Sequence, residues 1–360
     1  MRILIDIGHP AHVHLFRHFA HEMQLHGHEI LFTCRDKEFE IALLQKFGFS
    51  YKSFGKKYNS TLGKIIGLAE FDMKCLLAAI RFQPDVFLSH GSMYAAHTAF
   101  LMRKPHISLE DTFNKEQIRL YKPFTKNILT SDYAHPLKSG KVIKYAGYHE
   151  LAYLHPARFT PDKSILQKLG VGENEKFVIM RFVSWKASHD IGHTGISYEN
   201  KLKAIKAFKK YAKVFISSEA PLPKEIEKYR FNVEPHRMHD AMSFASLLWG
   251  ESFTMPAECS VLGTPSIINH NTKSYYLHEQ EHKYGLCFNY SESDQDQQRA
   301  IEKGVELLKT PGLKEEWQKR RDKMLTEKID VTAFMVWFIE NYPASARIMK
   351  ENPDYQYRFK

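Results

Sequence analysis

Cysteine is scarce in this sequence. Four occur in 360 residues (Cys34, Cys75, Cys259 and Cys287), far apart from one another. That spacing offers neither a disulfide framework nor a CxxC metal site, so the thiols read as reduced, as in a cytosolic protein. Long apolar runs are missing as well. No stretch approaches the roughly 18 uninterrupted apolar residues that span a bilayer. The opening Met1-Arg2-Ile3-Leu4-Ile5-Asp6 is interrupted at Asp6 and again at His9 and His12, unlike a signal-peptide core. There is no internal repeat, no low-complexity tract, no nucleic-acid-binding motif and no single dominant basic run. Nucleic acid is therefore not an expected partner. What is present is an ordinary globular composition, 43% hydrophobic and 26% charged, which excludes a largely disordered chain. Lys and Arg number 51 against 41 Asp and Glu, a formal charge of +10. Such an excess serves solubility, and it also draws phosphate-bearing ligands or an anionic membrane surface.

Short apolar runs alternate with helical patterns through the first half. Ile3–Ile7 precedes His12–His26, Glu29–Thr33 precedes Lys37–Phe47, Asp85–Ser89 precedes Met93–Met102, and Pro105–Leu109 precedes Lys115–Tyr121. Runs of about five residues with little alternation predict strands buried on both faces, and parallel strands need helical crossovers. After a stretch at Tyr148–Pro161 that reads as a linker, the rhythm resumes. Strands are expected at Lys176–Phe182, Val214–Ser217, Leu247–Gly250 and Pro265–Asn269, and helices at Tyr198–Lys210 and Met255–Leu262. The prediction is α/β, with two Rossmann-like parallel-sheet domains over 1–155 and 156–330 facing a central cleft. A helical tail over 331–360 would pack back on the first domain.

Trp249-Gly250-Glu251-Ser252-Phe253-Thr254-Met255-Pro256-Ala257-Glu258 is the most informative segment. A strand ends at Gly250, Ser252 or Thr254 can cap the next helix, and Pro256 suits its first turn. Free amides at that helix start make a ready phosphate site, and Glu258, one turn in, can accept two hydrogen bonds from a vicinal diol. An ordinary capped βα unit with a solvated Glu reads the same. The stretch Met238–Asn269 resembles the donor-nucleotide half of GT-B enzymes. It is similar to the non-hydrolysing UDP-N-acetylglucosamine 2-epimerases and to the N-acetylglucosaminyltransferase that makes lipid II. The whole pattern looks closest to a family of bacterial and archaeal GT-B-like proteins. The resemblance implies that Ser252, Phe253 and Thr254 hold a diphosphate, that Glu258 binds ribose, and that His236 and Arg237 lie at the uracil.

Three more segments follow predicted strands. Gly8-His9-Pro10-Ala11-His12-Val13-His14 resembles the Gly-Gly-His-Val loop of the lipid II transferase but lacks its paired glycines, and it points to His12 as the catalytic base or an acceptor-site residue. A metal on His9, His12 and His14 is not expected, since no nearby carboxylate completes a set. Ser89-His90-Gly91-Ser92 and Glu110-Asp111 match places where the 2-epimerases carry His-Gly-Asp and a glutamate. Ser92 replaces that aspartate, which weakens plain epimerisation. Glu110 is the expected acid/base group, Asp111 the reserve, and a helix-capping carboxylate the alternative for either. In Arg181-Phe182-Val183-Ser184 through His193, Arg181 and Ser184 are expected to contact the donor diphosphate, and His189 is the nearest counterpart of a sugar-approaching histidine in the 2-epimerases.

The resemblance thus implies a UDP-sugar-dependent glycosyltransferase with no cofactor or metal, UDP-sugar being the substrate. The other reading is a UDP-N-acetylglucosamine 2-epimerase, hydrolysing or not. Implied partners are a nucleotide-sugar donor and a lipid-linked or saccharide acceptor. Lys122-Pro123-Phe124-Thr125-Lys126 and Lys56-Lys57-Tyr58 suggest peripheral membrane contact, with the protein cytoplasmic and at the inner face of the membrane.

Overall fold

The computed structural model describes the chain except residues 57, 59–60, 134–136, 185–192 and 273, and the side chains of 61–62 and 64–66. It divides into two compact units, Met1–Arg158 with Lys328–Lys360, and Phe159–Glu327.

The first unit is built on seven parallel strands: β1 Arg2–Asp6, β2 Glu29–Asp36, β3 Tyr51–Lys56, β4 Val86–His90, β5 His106–Leu109, β6 Asn127–Ser131 and β7 Val142–Tyr145. Their spatial order is β3-β2-β1-β4-β5-β6-β7. The central strands are buried along their length, as their unbroken apolar character predicts: Ile3, Leu4, Ile5, Phe87 and Ile107 have almost no exposed surface. The chain leaves β1 in one direction to make β2 and β3, then returns to the other side of β1 for β4. The β1/β4 boundary is therefore the topological switch point, and ligands of such sheets bind beyond the strand ends there.

The second unit repeats the device with β8 Phe177–Phe182, β9 Lys213–Ser218, β10 Leu247–Gly250, β11 Ser266–Asn269 and β12 Cys287–Tyr290, in the order β12-β11-β10-β8-β9. All pairings are parallel, and the switch point lies between β8 and β10. Gly250 ends β10 against Arg181 of β8, and a Cβ there would collide with the Arg181 carbonyl. The glycine is a packing requirement, because the Arg181 backbone lies where a Cβ would stand.

One expectation changes. Tyr148–Leu154 is core rather than linker: Tyr148, Leu151, Ala152, Tyr153 and Leu154 are all buried, and the short helix Leu151–Leu154 packs on the helix Pro10–Leu25. The C-terminal helix Val331–Glu340 buries Phe334, Met335, Val336, Phe338 and Ile339 within the first unit.

Candidate functional site

In the first unit, the loops after β1, β4, β5 and β7 bring histidines around one aspartate. His9 ends the β1 loop as the N-cap of the helix Pro10–Leu25, its Nδ1 accepting from the Ala11 amide at 3.1 Å. Pro10 fits the first helical position because its missing N–H would have no partner there. His12, half a turn on, lies with its ring 4.5 Å from that of His90 at the end of β4. His90 Nε2 donates to Asp111 Oδ1 at 2.8 Å. His149, after β7, sets its Nδ1 3.1 Å from Asp111 Oδ2. Gly91 turns the chain after His90 in the left-handed region (φ 63°), its amide held by Ser108 Oγ at 2.9 Å.

Burial alone would pull His90 down, but the Asp111 carboxylate outweighs it and holds the imidazole up at about 9. Burial would raise Asp111, and the two imidazoles keep it well below the usual carboxylate range. His12 moves the other way: burial first, then His90 and His9, hold it well below 6.5. The Gly8 amide donates to His12 Nδ1 at 3.3 Å. A neutral His12 with that nitrogen occupied carries its proton on Nε2. In that form its Nε2–H is a hydrogen-bond donor.

Glu110 is also corrected. One of its oxygens accepts from the amides of Thr112 (3.0 Å) and Phe113 (2.8 Å) and from Thr112 Oγ1, and the other from the Tyr121 hydroxyl at 2.5 Å. It is 2% exposed and anchors the turn into the helix Lys115–Tyr121. Neighbouring positions in extended chain point to opposite sides, and Asp111 is the one aimed at the histidines. Ser92 is structural too: its Oγ caps the helix Met93–Leu101 through the Ala95 amide and donates to Asp6 Oδ2 at 2.5 Å. Asp6 is already paired with the buried Arg35 at 2.7 Å. His14 turns away from the cluster, against Phe47 and Tyr153.

In the second unit, the loops after β8 and β10 are tied by carboxylates. Glu251 Oε2 accepts from the Val183 amide at 2.9 Å, while Oε1 accepts from the Ile196 amide at 2.6 Å and faces Lys201 at 3.1 Å. Glu292 accepts from the amides of Thr194, Gly195 and Asn271 and pairs with His193. Burial would raise it, but His193 and the three amides bring it down to about 2. Residues 185–192, and with them His189, lie outside the described residues.

Arg181 is not an open phosphate clamp. Its guanidinium bonds Glu219 Oε1 at 2.5 Å and Ser217 Oγ at 3.0 Å, and Glu219 also takes the Ser184 amide at 3.2 Å. The helix after β10 starts at Thr254, following Phe253, and no side chain caps it. Neither Ser252 nor Thr254 caps, contrary to expectation, because Phe253 occupies the cap position in helical conformation. The Phe253 ring packs on His270 at 4.2 Å. Glu258 is 6% exposed and its Oε1 faces His239 Nε2 at 2.9 Å, so it is not the solvated Glu of the alternative reading. His236 and Arg237 form a 3-10 turn at Pro235–Arg237. Arg237 pairs there with Asp240 at 2.6 Å and Asp162 at 3.0 Å.

Sequence reasoning quoted Ser89-His90-Gly91 and Asp111 but did not single out His90 or His149 as site residues. His149 sits inside the apparent linker, so no local pattern joined it to Asp111. His90 and Asp111 stand at the ends of strands the sequence predicts, whereas His149 follows β7, which the sequence does not signal.

Two doubly wound parallel sheets, one per unit, define a GT-B-type α/β protein of two Rossmann-like domains. Within that class, the chain belongs to the family described as "Protein of unknown function (DUF354)", which matches residues 1–285. Similar solved structures include a UDP-GlcNAc 2-epimerase from Neisseria meningitidis bound to UDP-GlcNAc, 17% identical, with a TM-score of 0.64 over 89% of this chain and 94% of that one. The glycosyltransferase SsfS6 of Streptomyces sp. SF2575 is 12% identical, with a TM-score of 0.61 over 95% and 100%. VinC, a glycosyltransferase in complex with dTDP, is likewise 12% identical, at 0.61 over 96% and 100%. At such identities the likeness is one of fold, and these neighbours are enzymes. No curated protein matches the chain.

Proposed function

We propose that this protein is a UDP-sugar-dependent glycosyltransferase, transferring a glycosyl group with inversion to a lipid-linked or saccharide acceptor in surface polysaccharide or glycolipid synthesis. One observation carries the reading. At the switch point of the second unit, the helix Thr254–Leu262 begins with no side-chain cap directly beyond β10, with Phe253 and Ser252 half-buried beside it. A diphosphate can accept hydrogen bonds from the amides of that first turn, and the helix dipole favours the charge of departing UDP. Solved neighbours bound to UDP-GlcNAc and to dTDP support a nucleotide-sugar donor. In the transfer the acceptor oxygen bonds to the sugar C1, the bond from C1 to the phosphate oxygen breaks with its electron pair leaving on UDP, and the hydroxyl proton passes to the Asp111 carboxylate.

The second reading, 2-epimerisation, is favoured by the Neisseria meningitidis neighbour. Against it, the two carboxylate positions implied by the resemblance are spent. One is Ser92, and Glu110 is fully bonded to its turn.

A thermal-shift series with UDP and UDP-sugars tests the donor. A ligand at 100 times its Kd should add about 2.7 kcal/mol of stability. Glu258→Gln keeps an acceptor for His239 and should lower that shift if Glu258 binds ribose; an equal shift removes it from the site. Incubation with UDP-N-acetylglucosamine in heavy water separates the two chemistries. Deuterium at C2 of the recovered sugar would overturn the transferase reading in favour of the epimerase.

Contact with an anionic membrane belongs to the same proposal. Among the described residues no helix is long and apolar enough to cross a bilayer. The helix Thr61–Phe82 nevertheless exposes Met73, Leu77 and Ile80 at helical spacing, and the helix Met93–Leu101 packed beside it exposes Phe100 and Leu101. Arg81, Arg103, Arg119 and Lys126 are exposed on the same group of helices and the turns that end them. The expected contact at Phe124 is replaced, since that ring packs against His97 and Phe100. Lys57 lies outside the described residues.

A further inference from the structure

We infer that His90, Asp111 and His149 form a binding site for one divalent transition-metal ion at the carboxyl ends of β4, β5 and β7. This goes beyond the proposed activity and stands on the geometry of the first unit alone.

One nitrogen from each imidazole and a carboxylate oxygen lie within 4.8 Å of one another. Two neutral nitrogens and one carboxylate are borderline donors that suit zinc, cobalt, manganese or iron(II), and three protein ligands leave a position open for water or a substrate oxygen. His90 ends β4, and Asp111 and His149 lie in the turns just after β5 and β7 of the same sheet, so one sheet edge brings the three together.

Each imidazole turns one nitrogen to the carboxylate. His90 faces Asp111 with Nε2. His149 faces Asp111 with Nδ1. Its Nε2 is buried and has no hydrogen-bond partner among the described residues. A proton relay through His149 would need a group bonded to Nε2 to receive the proton, and none bonds it among the described residues. As a metal ligand His149 uses only Nδ1, the nitrogen that faces the cluster. A cation takes the place of the protons otherwise shared along this His–Asp–His row.

Access is on the Asp111 side, where the side chain is 18% exposed against 9% for His90 and 7% for His149. His12 borders the same place with its Nε2–H, a donor suited to an oxygen on the open position.

A second group, His193, His270 and Glu292, is equally close in space but differently committed. Glu292 is saturated by three amides and His193, and His270 Nδ1 accepts from the Thr272 amide at 3.0 Å. A neutral His270 therefore carries its proton on Nε2 and offers that group no free lone pair there.

The test uses the full chain, stripped with chelator, and Co²⁺ or Zn²⁺ alone as probe. One equivalent per chain should bind, with Co²⁺ giving visible bands of low coordination number. Asp111→Asn and, separately, His90→Gln should weaken binding by at least about tenfold, the minimum seen when the support of a metal ligand is lost. His270→Gln should leave it unchanged. If Asp111→Asn fails to fold, His90→Gln gives the same reading. No binding by wild type, or equal affinity in the Asp111 and His90 variants, overturns the site; loss in His270→Gln alone moves it to the second unit. Nucleotide-sugar binding by the stripped protein is scored separately, so the metal can fail while the proposed activity stands, and the reverse.

Discussion

Single side chains decide how the two switch points are held. Glu292 is the clearest case. A carboxylate lowered from the usual 4.5 to about 2 stabilises the fold fully above 4.5, and that stability is lost as pH falls from 4.5 toward 2. Glu292→Gln should cost about 1.5–3 kcal/mol near neutrality, the worth of hydrogen bonds to a charged group. It should also flatten the acid limb of the stability curve over that window. Urea unfolding at pH 7, 4.5 and 3 measures both, and a variant that loses stability with acid as steeply as wild type would refute the assignment. Residue identity was only partly legible in the sequence. The stretch Ser89-His90-Gly91 and the pair Glu110-Asp111 could be placed at strand ends. Which of the two carboxylates faced the histidines depended on the turn at 112–113, where the amides of Thr112 and Phe113 capture Glu110. Arg181 and Glu258 looked open for the same reason, because Glu219 and His239, which occupy them, are remote in sequence.

At the scale of elements, the sequence was most readable where burial was two-sided. Strands β1, β4, β8 and β10 appear within a residue of their expected ends, since uninterrupted apolar runs have few other uses in an α/β chain. The strands β3, β6 and β7 were not anticipated. Tyr51–Lys56 is an edge strand with half its residues polar, and Asn127–Ser131 is buried despite Asn, Thr and Ser. The C-terminal helix Val331–Glu340 shows how much an element can contribute. Phe334 is fully buried and meets the rings of Tyr145, Trp337, Phe338 and Phe359. Phe334→Ala should destabilise the first unit by about 3–5 kcal/mol, transfer and cavity together. Calorimetry checks it: a loss below about 1 kcal/mol would mean that this helix is peripheral to the core.

For the whole molecule, the charge of +10 and the exposed apolar helices make one prediction together. The protein should sediment with vesicles containing anionic phospholipid and remain free of neutral ones, because an apolar contact of this size needs electrostatic help. Replacing Leu77 and Phe100 by Ser should release it without altering its far-ultraviolet dichroism. Binding that persists in the double variant would remove these two side chains from the contact, and a wild type that stays free of anionic vesicles would assign the charge to solubility. Two sheets were legible from rhythm alone, whereas the membership of each residue in a site was not, because the loops that meet at a switch point are separated by whole crossovers.

The return of Lys328–Lys360 to the first unit has a consequence for biosynthesis. On the ribosome, domains generally mature in the order they emerge. Here the earlier-made sheet must wait, its greasy flank uncovered, until residues 328–360 leave the exit tunnel, while the later-made half is already complete. A chain released early therefore leaves an unfinished N-terminal half, a substrate for chaperones and proteases.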